Sequence, residues 1–143
     1  MYSLVYKSVA TSLFNFEDID LLLDKARSYN NRHQITGCLL YHDGKFIQYL
    51  EGPQLRILNL YDKITQDPRH TEVELLSYGS IEQREFEYWD MAFENVYGDN
   101  VQMYYVRLAL QNYFLNPKPH YNTSLVFRHF WKNVGGLLNN SMV

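Results

Sequence analysis

The chain has 143 residues, room for one domain built on one core. Hydrophobic residues make up 46% and charged residues 20%, an ordinary globular balance that excludes a disordered or fibrous chain. A net charge of −3 argues against a generic polyanion binder, and the unusual feature is 16% aromatic content with 13 Tyr.

Cys38 is the only cysteine, so intramolecular disulfides and cysteine-rich metal sites are excluded, and its place in ITGCLLY is that of a small core residue. No apolar run reaches the roughly 18 residues of a membrane helix. The start, MYSLVYKSV, lacks the apolar region of a signal peptide. The expectation is a soluble, cytoplasmic protein with no membrane contact.

In chain order, residues 2–8 read as a first strand, with β-branched and aromatic content. Asn15 offers a helix N-cap, followed by Glu17 and Asp18 in the first turn. Phe16, Ile19, Leu22, Leu23 and Ala26 recur at helical spacing, and this helix ends around Tyr29, Asn30 and Asn31. Residues 35–41 form a second strand and 45–50 a third, joined by a turn at Asp43-Gly44. Glu51-Gly52-Pro53 opens a second helix, with Leu55, Leu58, Tyr61 and Ile64 in period, stopped by Asp67-Pro68. Residues 72–78 alternate as a fourth strand, and 86–93 read as a fifth. Two further helices are expected at 99–115 and 123–138. The second is amphipathic through Phe127, Phe130, Trp131, Val134, Leu137 and Leu138.

The order β-α-β-β-α-β-β is that of an α+β ferredoxin-like plait with a five-stranded mixed sheet. Strands one and three lie at its centre, two helices lie on one face, and a C-terminal two-helix extension follows. Strand alternation then puts Leu4 and Tyr6 on one face and Val5 on the other. Phe46, Gln48 and Leu50 likewise share a face, opposite Ile47 and Tyr49. If Leu4 and Phe46 point at the helices, Tyr6 and Gln48 sit side by side in an apolar layer. Buried polar groups need partners, so these two satisfy each other or face a ligand. The opposite face is too apolar for water and needs cover from the C-terminal helices or another subunit.

Most familiar chemistries are missing. The seven glycines form neither a dinucleotide fingerprint nor a phosphate loop. The five histidines show no paired metal-ligand spacing, and no motif supports a nucleophile with its base, so neither a metal nor a catalytic residue is assigned. RNA-recognition domains share the plait, but the acidic charge and the missing basic-aromatic signature argue against nucleic acid. On residue type alone, Asn30-Asn31 reads as a helix C-cap, and Lys63, Asp67, Arg69 and His70 as a solvated helix end. Trp89 and Met91 share a strand face, as ordinary core residues do.

Together, however, LVYKS, YNNRHQITGCLLY, GKFIQYLEGP, YDKITQDPRH and FEYWDMAF closely resemble the BLUF domain, a blue-light sensor that uses flavin. The resemblance spans roughly residues 2–96 in the family's order and spacing. It implies a flavin-binding unit at 1–97, and a helical extension at 98–143 like that of short stand-alone members. It also implies noncovalent FAD, or FMN, between the two helices. Asn30 and Asn31 would bond the polar edge of the ring, and Leu23 and Ile64 would pack on its faces. Lys63, Asp67, Arg69 and His70 would lie toward the ribityl–phosphate end. Tyr6 and Gln48 would be the photoactive pair, with Trp89 or Met91 sensing the change. In the family's scheme Tyr6 gives an electron and a proton to the excited flavin. Gln48 rotates or tautomerises, and the flavin returns to its redox state with a new hydrogen bond and a slightly red-shifted spectrum. The implied partners are flavin, a second copy of the chain and a downstream regulatory protein; no substrate is turned over.

Three residues depart from the family's pattern: Lys63 where many members have Arg, Gln34 where Gly is frequent, and Asp90 where Ser is usual. Two other readings stand beside this one. A light-insensitive interaction module on the same fold would stay colourless with added flavin. A flavin or nucleotide enzyme would turn over reductant in the dark.

Overall fold

The structure, a computed structural model, describes residues 1–15, 17, 19–86, 89–93 and 124–140, of which 19–20, 90–93 and 139–140 are described by their backbone alone. The elements run β1 (Tyr2–Ala10), α1 (Ile19–Arg32), β2 (Thr36–His42), β3 (Lys45–Gly52), α2 (Gln54–Thr65), β4 (His70–Ser80), β5 (Trp89–Phe93) and α3 (Leu125–Asn140). The strands form one sheet in the order β4-β1-β3-β2-β5. β1 pairs antiparallel with both β3 and β4, β2 pairs antiparallel with β3, and β5 runs parallel to β2. This is the five-stranded mixed plait expected from the order of elements. The expected helix at 99–115 lies outside the described residues.

The alternation on β1 and β3 sorts the core into two layers. Leu4, Tyr6, Phe46 and Leu50 join Leu23 of α1, Ile57 of α2 and Trp89 under the two helices. Val5, Cys38, Leu40, Ile47 and Tyr49 face the other way and meet Val126, Phe130, Trp131, Val134 and Leu138 of α3. The apolar second face is therefore covered by the C-terminal helix of the same chain. The aromatic content helps to fill this layer. Tyr49, Phe86, Phe127, Phe130 and Trp131 contact one another in tilted or edge-on pairs with centroids 5.3–6.3 Å apart.

Several boundaries differ from the sequence reading, each for a pairing reason. Glu51 and Gly52 do not open α2; they finish β3, opposite Ser3 and Tyr2 of β1, and the helix begins after Pro53. β4 starts at His70 because His70 pairs with Ala10. β4 also carries two bulges against β1. One lies between the positions opposite Val5 and Tyr6, the other between those opposite Lys7 and Val9, where Glu72 takes φ 54°. They flank Tyr6, which faces the site described below. α1 begins at Ile19 rather than at Asn15, whose side-chain oxygen accepts the Glu17 N–H (3.0 Å) just ahead of it.

At the Asp43-Gly44 turn both residues have positive φ, 51° and 75°, as the tight hairpin between β2 and β3 requires. Gln34 also has a positive φ, 59°, where α1 ends and Ile35 N–H turns back to Asn30 O (2.9 Å). A residue with a Cβ is disfavoured in this region, which explains why glycine suits the position. Gln34→Gly is expected to raise stability by about 1 kcal/mol, seen as a higher urea midpoint with an unchanged slope. A lower midpoint would contradict this account of the helix end.

Candidate functional site

A cleft of about 1040 Å³ opens between α1 and α2 over the centre of the sheet. Its floor comes from adjacent strands: Tyr6 on β1, Gln48 and Phe46 on β3, Leu39 on β2 and Trp89 on β5. Tyr6 and Gln48 are direct cross-strand partners, and the Tyr6 hydroxyl donates to Gln48 Oε1. Both are buried, at 3% and 4% exposure. Burial pushes the Tyr6 phenol well above its ordinary range, and the nearby Tyr61 and Asp67 push the same way. Tyr6 therefore keeps its proton, held between Gln48 and the rings of Tyr61 (5.7 Å) and His70 (6.3 Å).

His70 is fixed in turn. Its Nε2 lies 2.5 Å from Ile64 O, and its Nδ1 lies 2.8 Å from Ser8 Oγ. A carbonyl only accepts, so Nε2 carries the proton, and in the neutral ring Nδ1 accepts from the Ser8 hydroxyl. The ring thus ties the end of α2 to β1 beside Tyr6.

The walls are apolar, from Leu22 and Ala26 of α1, Leu60 and Ile64 of α2, and Phe14 ahead of α1. Asn30, only 3% exposed, adds an amide from the last turn of α1. The mouth carries Lys25, Arg32, Lys63, Asp67 and Arg69. The Arg69 guanidinium closes on Asp67, its Nε donating to Oδ1 and Oδ2 at 2.9 and 3.0 Å. Lys63 is held differently: its Nζ donates to Tyr29 Oη (3.2 Å) and lies 4.9 Å from that ring's centroid, with His33 stacked on the same ring at 4.0 Å. Lys thus offers a positioned point charge at the mouth, not a planar fork.

Hydrogen bonding to Arg69 holds the Asp67 carboxyl below its usual range against the opposing effect of partial burial, and the Arg69 charge acts in the same direction as the hydrogen bond. A lowered folded-state pKa means stabilisation present above the unfolded value of 3.8 and lost as pH falls through the folded value. The pair is partly solvated, so its contribution is small. Asp67→Asn is expected to cost less than about 1 kcal/mol at pH 7 and nothing once the pH is below both values, as urea unfolding at the two pH values will show. A larger loss at the acid end would contradict the sign.

Of the residues singled out from sequence, Tyr6, Gln48, Asn30, Lys63, Ile64, Asp67, Arg69, His70 and Trp89 line this one cleft. Leu23 does not: it is buried in the core beneath, and its neighbour Leu22 lines the wall. Asn31 is exposed and is not among the lining residues. The Met91 side chain lies outside what the structure describes. The sequence reading missed Tyr29, Phe14 and Lys25. Tyr29 carried a signal, since it directly precedes Asn30 in the same motif, but its contact with Lys63 spans 34 residues.

Two observations show that the cleft suits a flat, polar-edged ligand. Among the described residues, Trp89 Nε1 is buried without a hydrogen-bond partner, a rare condition for an indole N–H. Gln48 has its oxygen engaged by Tyr6, which leaves the two N–H groups of its amide for a ligand. Apolar walls, these amides and a cationic mouth fit the tricyclic ring, polar edge and phosphate tail of a flavin nucleotide. Among the described residues, no helix is long and apolar enough to cross a membrane.

The sequence matches the family BLUF, sensors of blue-light using FAD, over residues 1–92. It is similar to the beta subunit of a photoactivated adenylate cyclase from Euglena longa, 42% identical over 84 residues, or 59% of this chain. The match covers 10% of that relative's length. BlsA in its photo-activated state superposes with a TM-score of 0.63 at 27% identity, over 92% of both chains. The dark state of BlrB, a BLUF protein, shares the fold with a TM-score of 0.66 at 23% identity, over 94% of this chain and 95% of that one. With the family matched across most of the chain and the cleft suited to its chromophore, the chain belongs to the BLUF family of blue-light sensors that use FAD.

Proposed function

We propose that Tyr6 and Gln48 are the photoactive pair of a blue-light receptor in which residues 1–97 hold the flavin and residues 98–143 form a helical extension that carries the signal. The observation that carries this reading is the buried Tyr6–Gln48 hydrogen bond on the floor of the cleft. When bound and excited by blue light, oxidised flavin supplies a strong oxidant. Of the floor residues, Tyr6 has both an electron and an acidic proton to give, and burial keeps it protonated until then. Gln48 has a donor and an acceptor end, so it can re-pair once the Tyr6 proton has moved. When the electron and the proton return to Tyr6, Gln48 is left in the new arrangement. No atom or electron is gained overall, so the change is a switch of hydrogen bonds, not turnover.

Asn30 would hold the polar edge of the ring, Leu22 and Ile64 would pack on its faces, and Lys63, steadied by Tyr29, would meet the phosphate. FAD and FMN share those contacts, so the adenylate half adds little. Trp89, whose Nε1 has no partner among the described residues, senses the new pairing, with Met91 two positions on. The output runs through β5 and α3 to a second copy of the chain or to a separate regulatory protein, whereas the Euglena relative's name couples light to a cyclase. Titration with riboflavin, FMN and FAD tests the binding half. Similar affinity for FMN and FAD, with weaker binding of riboflavin, supports the assignment of Lys63. Protein that remains colourless with all three would defeat the reading.

A further inference from the structure

We infer that Glu51 is a positioning residue: its buried carboxylate latches the photoactive strand β3 to the segment that leads into β5 and to the start of α3. The inference rests on the photoactive assignment of Gln48, three residues earlier on the same strand.

Glu51 has no exposed surface. Its carboxylate accepts hydrogen bonds from Tyr49 Oη (2.8 Å), Thr36 Oγ1 (2.9 Å), Glu85 N–H (2.9 Å) and Phe86 N–H (2.7 Å). Those donors belong to β3 itself, to the first residue of β2 and to the segment just ahead of β5. Arg84 reinforces the same junction, donating to Thr36 Oγ1 (2.9 Å) and Gln34 O (2.8 Å). The Glu85 side chain extends it, accepting the backbone N–H of Ser124. Ser124 in turn caps α3, its Oγ accepting from Phe127 N–H (3.1 Å). The path from β3 to the first turn of α3 is thus continuous in hydrogen bonds.

A fully buried carboxylate is costly unless every lone pair is used. It therefore does not slide by small steps: the donors at 85 and 86 are held or they are lost. That is the property needed to convert a small shift of β3 into a discrete change at β5 and α3. A merely structural anchor would stabilise the fold equally in light and dark.

The test uses the flavin-loaded full chain, comparing light and dark for two readouts: the flavin red shift, and amide hydrogen exchange across residues 125–140. Glu51→Gln keeps the shape but turns an amide N–H toward the 85 and 86 donors. Glu85→Ala leaves the carboxylate's own bonds intact and cuts only the link to Ser124. Both variants are expected to keep the red shift and to lose roughly threefold or more of the light-induced change in exchange. Should Glu51→Gln fail to fold, Glu85→Ala decides alone. A full α3 response with an intact red shift in Glu85→Ala overturns the latch, as does an α3 that ignores light in the unsubstituted protein while its flavin still shifts. An unsubstituted protein with no red shift at all removes the photoreceptor reading and the latch with it.

Discussion

A Tyr6→Phe variant is expected to bind flavin and to show no blue-light red shift. The substitution keeps the ring, so the contacts with Tyr61 and His70 and the packing beside Leu4 and Phe46 remain. What is lost is the hydroxyl that donates to Gln48 Oε1. Fold stability should fall by about 1 kcal/mol, the usual net value of one hydrogen bond, with Gln48 free to turn its oxygen toward the ligand. The photochemical loss should instead be complete, because Phe has no proton to release and is much harder to oxidise. The measurement is the light-minus-dark absorption spectrum at matched flavin occupancy. A normal shift in this variant would end the assignment of Tyr6.

Gly37→Ala is expected to abolish the fold. Gly37 sits on β2, paired with Leu50 of β3 on one side and Trp89 of β5 on the other. Its φ is 152°, a conformation that side chains rarely adopt, and an added Cβ would lie 2.0 Å from the Tyr49 carbonyl oxygen and 3.2 Å from Leu50 Cα. These are backbone atoms of the neighbouring strand, so no side chain can turn aside to make room. Relief requires β2 and β3 to part beside Gln48 and Glu51. The expected cost is more than about 4 kcal/mol, comparable to the whole stability of a small domain. Circular dichroism and urea unfolding check it. A folded Gly37→Ala protein with a midpoint near that of the parent would contradict the described approach of the two strands.

The site was legible in the sequence wherever it obeyed a local rule. The period of two on β1 and β3 placed Tyr6 and Gln48 on one face, and the apolar opposite face demanded the cover that α3 supplies. The helical period was less decisive. Leu22 and Leu23 both belong to the apolar stripe of α1, and only the packing distinguishes the wall residue from the core residue. Asn30 and Asn31 are adjacent, yet one turn of helix ending buries the first and exposes the second. Glu51 was misread because Glu-Gly-Pro is an ordinary helix opening, while the donors that make it a strand residue lie up to 35 positions away. Such long-range partners leave no periodic mark. His70 joined β4, not the helix end, for the same reason: Ala10 pairs with it from 60 residues earlier.

The roles given to Tyr6 and Gln48 imply a light response that leaves the flavin's redox state unchanged. The absorption spectrum of the purified, flavin-loaded protein, recorded before, during and after blue light without added reductant, tests this most directly. The account predicts a small red shift of the oxidised-flavin bands that decays fully in the dark, with no bleaching. A spectrum that does not move, or one that bleaches to reduced flavin, would contradict it.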